Sequence, residues 1–136
     1  LVIDDYAHHP AEIAASLAAM RKVHPDRRLV VVFQPHRYSR TAAFLDPLAA
    51  ALQEADCVLL LPVYGAGEAV VPSVSSQGLA DRMRADGCPC RLCGDEKEAL
   101  AALDSLVEEG DVLLTLGAGS VSRLGGLFLS GENSGR

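Results

Sequence analysis

The sequence predicts an α/β fold with a mostly parallel sheet of five or six strands and helices on both faces. Short apolar runs, such as RLVVVF (28–33) and DVLLTL (111–116), are typical of strands buried on both sides. These runs alternate with stretches whose apolar residues recur at helical spacing, which is the pattern of a parallel sheet with helical crossovers. The 136 residues suit one domain. We place that domain at residues 1–130 and a polar tail at 131–136.

The predicted elements follow one another in regular alternation. LVI (1–3) predicts the first strand, and a helix over 10–22 follows, opened by a proline whose missing N–H costs nothing in a first turn. A second helix is expected over 41–54, with a kink or restart at Pro47. The other predicted strands span 28–33, 57–62, 88–93 and 111–116, and the other predicted helices span 76–85 and 95–109, with a weak helix after residue 120.

Composition and charge argue against several classes of function. The net charge of −6 disfavours general nucleic-acid binding, which needs clustered Lys and Arg. No apolar run approaches the roughly 20 residues that span a bilayer, and the N-terminus lacks the order of a signal peptide. The four cysteines fit reduced thiols in the cytoplasm. Because the sequence starts without Met inside a predicted strand, we expect it to be part of a longer protein.

Polar and glycine-rich segments follow four of the predicted strands. They are DDYAHHP (4–10), QPHRYSR (34–40), VYGAGE (63–68) and GAGS (117–120). Ligands of parallel sheets bind beyond the carboxyl ends of the strands. We therefore expect these four segments to converge on one edge of the sheet and to form a ligand site there.

Arg37 and Arg40 are candidates for contacts with an anion. They lie three residues apart, so a helix that begins there would carry both guanidiniums on one face. The planar fork of arginine binds two oxygens of a carboxylate or phosphate at once. The alternative is two solvated arginines near a helix N-terminus, where the helix dipole disfavours positive charge.

The first polar segment offers further candidates. Adjacent histidines in a loop usually point apart, so at most one of His8 and His9 is expected to face a ligand. Such a histidine could donate to a carboxylate or act near neutral pH, or it could simply cap the following helix. An aspartate of the pair Asp4 and Asp5 could accept hydrogen bonds from ribose hydroxyls, and Tyr6 could stack on a base. The two aspartates could also be solvated turn residues, and Tyr6 could simply cover the edge of the sheet.

Two other patterns carry less weight. GAGS matches G-x-G-x-x-G only up to the third glycine, where Ser122 stands, but it still predicts a close backbone approach at a helix N-terminus that suits a carboxylate or phosphate. Cys88, Cys90 and Cys93 lack a common zinc spacing. Strand alternation would place the first two on one face and Cys93 on the other. We expect buried thiols and assign no metal ligands; the sequence also lacks a P-loop.

Two long motifs resemble the C-terminal domain of the Mur ligases. They are DDYAHHPAE (4–12) and VFQPHRYSRT (32–41), and VYGAGE and LLTLGAGS stand at the expected later positions. The resemblance implies a Rossmann-like domain that binds an amino acid and closes over ATP, which an upstream central domain holds with Mg²⁺. The P-H-R-Y segment favours the branch that joins L-alanine to UDP-N-acetylmuramate in peptidoglycan synthesis over the branch that recycles a murein tripeptide.

The resemblance also implies roles for single residues. It places His8, Arg37 and Arg40 on the side of the amino acid and the reacting phosphates, Ser120 near the amino acid, and Asp5 and Tyr6 at the ribose and adenine. In this family ATP phosphorylates the muramyl carboxylate, and the amine of the amino acid attacks the acyl phosphate. The isolated domain is expected to be inactive. From the residues without the resemblance, a free-standing α/β module that binds a nucleotide or another anion stays open.

Overall fold

The computed structural model describes residues 1–131, and its elements follow the predicted alternation. The strands are β1 (Val2–Asp5), β2 (Leu29–Phe33), β3 (Cys57–Leu60), β4 (Cys90–Leu92) and β5 (Val112–Leu116). The helices are α1 (Pro10–Val23), α2 (Tyr38–Ala43), α3 (Leu45–Leu52), α4 (Ser76–Ala85), α5 (Glu96–Leu106) and α6 (Leu124–Ser130), with a 3₁₀ turn at Ser120–Arg123. Apart from Gly131, the predicted tail at 131–136 lies outside the described residues. No helix within 1–131 is both long and apolar enough to cross a membrane.

The strands form one sheet in the order β1-β5-β2-β3-β4, and every pair is parallel. This confirms the predicted α/β fold, with five strands among the described residues. β5 lies between β1 and β2, so that Val2 stands opposite Leu113 and Leu29 stands opposite Val112. Both β2 and β5 are buried along their whole length, as their runs of Val and Leu predict.

Helices cover both faces of the sheet. On one face, α1, α3 and α4 pack through Ile13, Leu48 and Met83, which are buried. On the other, α5 and α6 pack through Leu103 and Leu124. Burying one such side chain contributes about 1.5–3 kcal/mol. The two apolar layers therefore fix the sheet rigidly beneath the loops at its carboxyl edge.

The helix expected over 41–54 is two helices, α2 and α3, separated at Phe44. Pro47 has no N–H to donate to the Ala43 carbonyl, and its ring would clash with that carbonyl in a continuous helix. Phe44 therefore leaves helical geometry, with φ −120° and ψ 26°. The predicted restart is confirmed, but the first of the two helices begins earlier than expected, at Tyr38.

The strand predicted at 88–93 is shorter, because Pro89 has no N–H for the ladder and β4 begins only at Cys90. Cys88 and Cys90 pack on one face of the sheet and Cys93 packs on the other, which confirms the predicted alternation. The four cysteines are free thiols. Burial raises the pKa of each, which favours the unreactive thiol form.

An ion pair joins the amino ends of β2 and β5. The Arg28 guanidinium donates through Nε and Nη2 to the carboxylate of Asp111, the closest distance being 2.7 Å. Its Nη2 also donates to the Leu106 carbonyl at 2.6 Å. Asp111 is buried and also accepts the N–H of Glu108 at 2.9 Å. These hydrogen bonds, chiefly those from Arg28, lower the pKa of Asp111.

Asp111→Asn should lower the free energy of unfolding by about 2 kcal/mol at pH 7. This lies between the costs of breaking an exposed and a buried salt bridge. Because the pKa of Asp111 is lower in the folded state, its carboxylate stabilises the fold above the unfolded-state pKa. That stabilisation is lost as pH falls through the folded-state pKa, so the difference from wild type should shrink below about pH 4. Denaturant unfolding measures both effects. The exposed Asp26→Asn is the matched control, and equal losses from the two variants would contradict the role of the pair.

Candidate functional site

The four segments predicted to converge do meet, and we call 4–10, 34–40, 63–68 and 117–120 together the four-loop edge. They follow β1, β2, β3 and β5, which are neighbours in the sheet. The ring of His8 lies 5.1 Å from that of His36, and His36 stacks on Tyr64 at 5.7 Å. Gln34 reaches Ser120 at 3.4 Å. Side chains from all four segments therefore lie within one continuous surface.

The two adjacent histidines point apart, as predicted. His9 caps α1: its N–H donates to Glu12 at 3.1 Å and its ring packs on Phe44 at 5.0 Å. The His8 side chain turns to the four-loop edge and is 17% exposed. Its Nδ1 lies 3.0 Å from the Tyr6 carbonyl, which can only accept. A neutral His8 that makes this bond therefore carries its proton on Nδ1 and a lone pair on Nε2.

Asp5 and Tyr6 are the residues predicted to contact a nucleotide. Their side chains differ in how free they are to do so. Oδ1 of Asp5 accepts the N–H of Ala7 at 2.9 Å, and Oδ2 accepts the hydroxyl of Ser16 at 2.5 Å. Asp5 therefore has a structural role in the turn and could receive a ribose hydroxyl only on its remaining lone pairs. Tyr6 is 69% exposed and meets His8 edge-on at 5.4 Å, so its face is accessible.

Arg37 has a backbone conformation that residues other than glycine seldom adopt, with φ 69° and ψ 138°. Its N–H donates to the Tyr64 carbonyl at 2.7 Å, and its carbonyl accepts the hydroxyl of Thr41 at 2.8 Å. Such conformations cost on the order of 1–3 kcal/mol and cluster at binding sites. The side chain is exposed, and no hydrogen bond or ion pair within residues 1–131 engages its guanidinium.

Arg40 lies one turn further along and is partly buried. Its Nη1 donates to Nδ1 of His36 at 3.2 Å. His36 was not among the predicted site residues, although it immediately precedes Arg37 and follows a predicted strand. Burial lowers the pKa of His36, and electrostatic interaction with His8 and with the guanidiniums of Arg40 and Arg37 lowers it further.

The acidic side chains around the four-loop edge are engaged in local hydrogen bonds. Glu68 accepts the N–H and hydroxyl of Ser39 at the start of α2, at 3.2 and 2.5 Å, and these bonds lower its pKa. Glu12 accepts backbone N–H groups at the start of α1. Across the described part of the chain, no carboxylate forms an ion pair with Arg37 or Arg40. The two guanidiniums therefore have no direct carboxylate partner within residues 1–131, although the whole chain carries a net charge of −6.

Gln34 joins the end of β2 to the glycine-rich segment. It is buried, and its N–H donates to the Leu116 carbonyl at 3.1 Å. Its Oε1 accepts the N–H of Val121 at 3.3 Å, and its Nε2 donates to the hydroxyl of Ser120. The predicted site residue Ser120 thus begins a 3₁₀ turn with its hydroxyl toward Gln34. A polar residue directly after an apolar strand was the signal that could have identified Gln34.

Gly117 and Gly119 let the glycine-rich backbone pack closely against its neighbours in the protein. A Cβ on Gly117 would lie 2.7 Å from Cγ1 of Val121 and 3.1 Å from the Gln34 carbonyl, and the residue has φ 148°. A Cβ on Gly119 would lie 3.0 Å from the ring of Tyr64. The approach of a carboxylate or phosphate to this backbone stays a prediction, and the chain continues into a 3₁₀ turn rather than directly into an α-helix.

An apolar recess of about 400 Å³ lies beside the four-loop edge, beyond β3 and β4. Its walls include Val63, Val70, Val71 and Val74, and Tyr38, the first residue of α2, also lines it. The walls lack the arginines and histidines of the four-loop edge. The chemistry suited to an anion therefore lies at the four-loop edge and not in the recess.

Comparison with known proteins agrees with the motifs. The protein-family model described as "Mur ligase, glutamate ligase domain" matches residues 1–119. The chain belongs to the Mur ligase family. The UDP-N-acetylmuramate–L-alanine ligase of Nitratidesulfovibrio vulgaris (strain DP4) is 49% identical over 132 residues, covering 96% of this chain and 29% of that protein. The protein of the same name from Acidithiobacillus ferrooxidans (strain ATCC 53993) is 49% identical over 123 residues, covering 90% of this chain and 26% of that protein. This Mur ligase domain thus spans less than a third of the curated relatives it matches.

Solved structures agree with the fold. The UDP-N-acetylmuramate-alanine ligase of Thermotoga maritima matches with a TM-score of 0.77 and 30% identity over 99% of this chain and 27% of that one. A murein peptide ligase from Psychrobacter arcticus matches with a TM-score of 0.79 over 98% of this chain and 28% of that one. At 20% identity this match shows the fold only. The predicted resemblance to Mur ligases is confirmed at the level of the family.

Gly117→Ala should lower the free energy of unfolding by about 2 kcal/mol, because the added methyl meets a side chain and a carbonyl at a strained φ. Gly126→Ala is the matched control. A Cβ there meets nothing within 4 Å, and alanine should favour helix α6 by up to about 1 kcal/mol. Denaturant unfolding of the two variants compares them. A neutral Gly117→Ala would contradict the close packing of the glycine-rich segment.

Proposed function

We propose that residues 1–130 are the C-terminal domain of an ATP-dependent UDP-N-acetylmuramate–L-alanine ligase, which binds L-alanine and closes over ATP. The observation that carries this proposal is a pair of arginines at the four-loop edge. Arg37 is exposed and Arg40 is partly buried, and neither has a carboxylate partner in the described residues. Two such guanidiniums suit the carboxylate of an amino acid. The names of the relatives and the P-H-R-Y segment support L-alanine as that amino acid.

In the proposed reaction, the muramyl carboxylate takes the γ-phosphoryl group of ATP, and the amine of L-alanine then displaces phosphate to form the amide. Arg37 and Arg40 hold the carboxylate of L-alanine and neutralise charge on the reacting phosphoryl group. His8 offers the lone pair of Nε2 to an amine proton, because Nδ1–H is engaged by the Tyr6 carbonyl. Holding the amine against the acyl phosphate lowers the barrier by removing the entropy cost of their encounter.

The contacts of this domain with the nucleotide are proposed to be few. The exposed ring of Tyr6 can stack on adenine, with Asp5 beside the ribose and Ser120 near the amino acid. Within residues 1–131, no group of three or more His, Cys, Asp or Glu side chains could hold a metal ion. On the resemblance to Mur ligases, the triphosphate, Mg²⁺ and UDP-N-acetylmuramate are proposed to be held mainly by upstream domains of a cytoplasmic enzyme.

Phosphate release from the full-length protein that contains this chain tests the proposal. With ATP, Mg²⁺ and UDP-N-acetylmuramate, release should depend on L-alanine, and the 136-residue chain by itself should release none. Release only with the tripeptide L-Ala-D-Glu-diaminopimelate would assign the protein to the recycling branch. Release with neither amine would contradict the ligase and leave an anion-binding module.

Arg37→Ala in the full-length protein should raise the KM for L-alanine strongly, because losing one partner of a charge-assisted contact costs about 2–5 kcal/mol. Steady-state kinetics at saturating ATP measure the change. Arg27→Ala is the matched control, since Arg27 is also exposed but precedes β2 at the opposite edge of the sheet. Equal KM values for the two variants would remove Arg37 from the amino-acid site.

A further inference from the structure

The contact between Arg40 and His36 fixes the protonation state of the imidazole. Nη1 of Arg40 lies 3.2 Å from Nδ1 of His36. A guanidinium stays protonated and can only donate, so Nδ1 must present a lone pair. The ring proton of His36 then resides on Nε2. A protonated imidazole carries N–H on both nitrogens and has no acceptor, so the contact exists only while His36 is neutral.

His36 is itself held from several sides. Its backbone forms a parallel bridge with Tyr64, flanked by hydrogen bonds from Tyr64 N–H to the Pro35 carbonyl at 2.8 Å and from Arg37 N–H to the Tyr64 carbonyl at 2.7 Å. Its ring stacks on Tyr64 at an interplanar angle of 30° and contacts the ring of His8 at 5.1 Å. His36 is therefore a rigid acceptor for the long and flexible side chain of Arg40.

The charged groups around His36 favour its neutral form. His8 faces it from the loop after β1, Arg37 and Arg40 face it from the start of α2, and Glu68 faces it from the loop after β3. Burial, followed by His8 and the guanidiniums of Arg40 and Arg37, lowers the pKa of His36, while Glu68 opposes them. Since Glu68 is hydrogen-bonded to Ser39, its carboxylate does not approach the ring as an ion-pair partner.

We propose that His36 is a positioning residue of the amino-acid site: its neutral imidazole holds the Arg40 guanidinium ready for the substrate carboxylate, and protonation of His36 releases it. The inference deepens the proposed ligase function and rests on it. A guanidinium fixed before binding loses less conformational entropy when the carboxylate arrives. Once His36 is protonated, its charge also repels Arg40, so affinity for L-alanine should fall on acidification.

The protonation state can be measured on the 136-residue chain without any activity. Long-range ¹H–¹⁵N correlation spectra at neutral pH should show His36 with a bare Nδ1 and a protonated Nε2, assigned by loss of the signals in His36→Asn. Acidification should protonate Nδ1 at a pH below the ordinary pKa of histidine. A proton on Nδ1 at neutral pH would overturn the inference, whether or not the ligase function holds.

Kinetics of the full-length protein test the consequence for binding. His36→Ala should raise the KM for L-alanine roughly tenfold, the ratio expected for one lost hydrogen bond to a charged group, and leave the KM for ATP unchanged. His36→Asn keeps an acceptor oxygen near the position of Nδ1 but does not titrate. It should retain the wild-type KM and lose the part of the acid sensitivity due to residue 36. His24→Asn, at the C-terminal end of α1, is the matched control. It should keep both the wild-type KM for L-alanine and the wild-type acid sensitivity.

A double-mutant cycle separates positioning from a structural role. In an Arg40→Ala background, His36→Ala should change the KM for L-alanine by less than about twofold, because the residue acts through Arg40. Independent effects of the two substitutions, or an unchanged acid sensitivity in His36→Asn, would overturn the inference. If His36→Ala fails to fold, His36→Asn and the spectra still decide it. Absence of phosphate release that depends on L-alanine would instead refute the proposed function.

Discussion

The insertion of β5 between β1 and β2 is the constraint on which the rest of the structure depends. It gives β5 a partner on both sides and buries its apolar residues completely. The one buried hydroxyl in this strand, that of Thr115, donates to Asp4 of β1 at 2.7 Å, so the polar group is satisfied. With the strands aligned in this order, the loops after β1, β5, β2 and β3 stand side by side. Segments from both ends of the sequence thereby form one surface.

The two edges of the sheet use arginine in opposite ways. At the amino edge, Arg28 is matched by a buried carboxylate, and the pair contributes to stability. At the carboxyl edge, the nearby acids are committed to helix starts and turns, so Arg37 and Arg40 keep their hydrogen-bonding capacity for a ligand. Apart from the bond of Arg40 to His36, the polar groups nearby are therefore satisfied without the guanidiniums of the site. Two arginines without a carboxylate partner in the described residues can thus lie at one edge of a chain whose net charge is negative.

The order of elements was predictable because buried strands and amphipathic helices have distinct periods in sequence. The strand order was not predictable, since periodicity does not say which strands are neighbours. Convergence of the four loops followed from the rule for parallel sheets, and resemblance supplied the roles of Arg37 and Arg40. His36, Gln34 and Tyr64 were missed because their importance lies in contacts between loops. The strained backbone of Arg37 is likewise imposed by Tyr64 and cannot be read from the arginine itself.

The central position of β5 also orders the assembly of the domain in time. A ribosome makes β5 after all the other strands, yet within the described residues β1 pairs only with β5. The facing edges of β1 and β2 therefore stay open until residues 112–116 have emerged, and open edges invite wrong pairing between chains. Contacts between such distant segments also slow folding. A nascent chain that stops before β5 already contains the histidines and arginines of the surface, but lacks the strand that aligns the loop after β1 with the loop after β2.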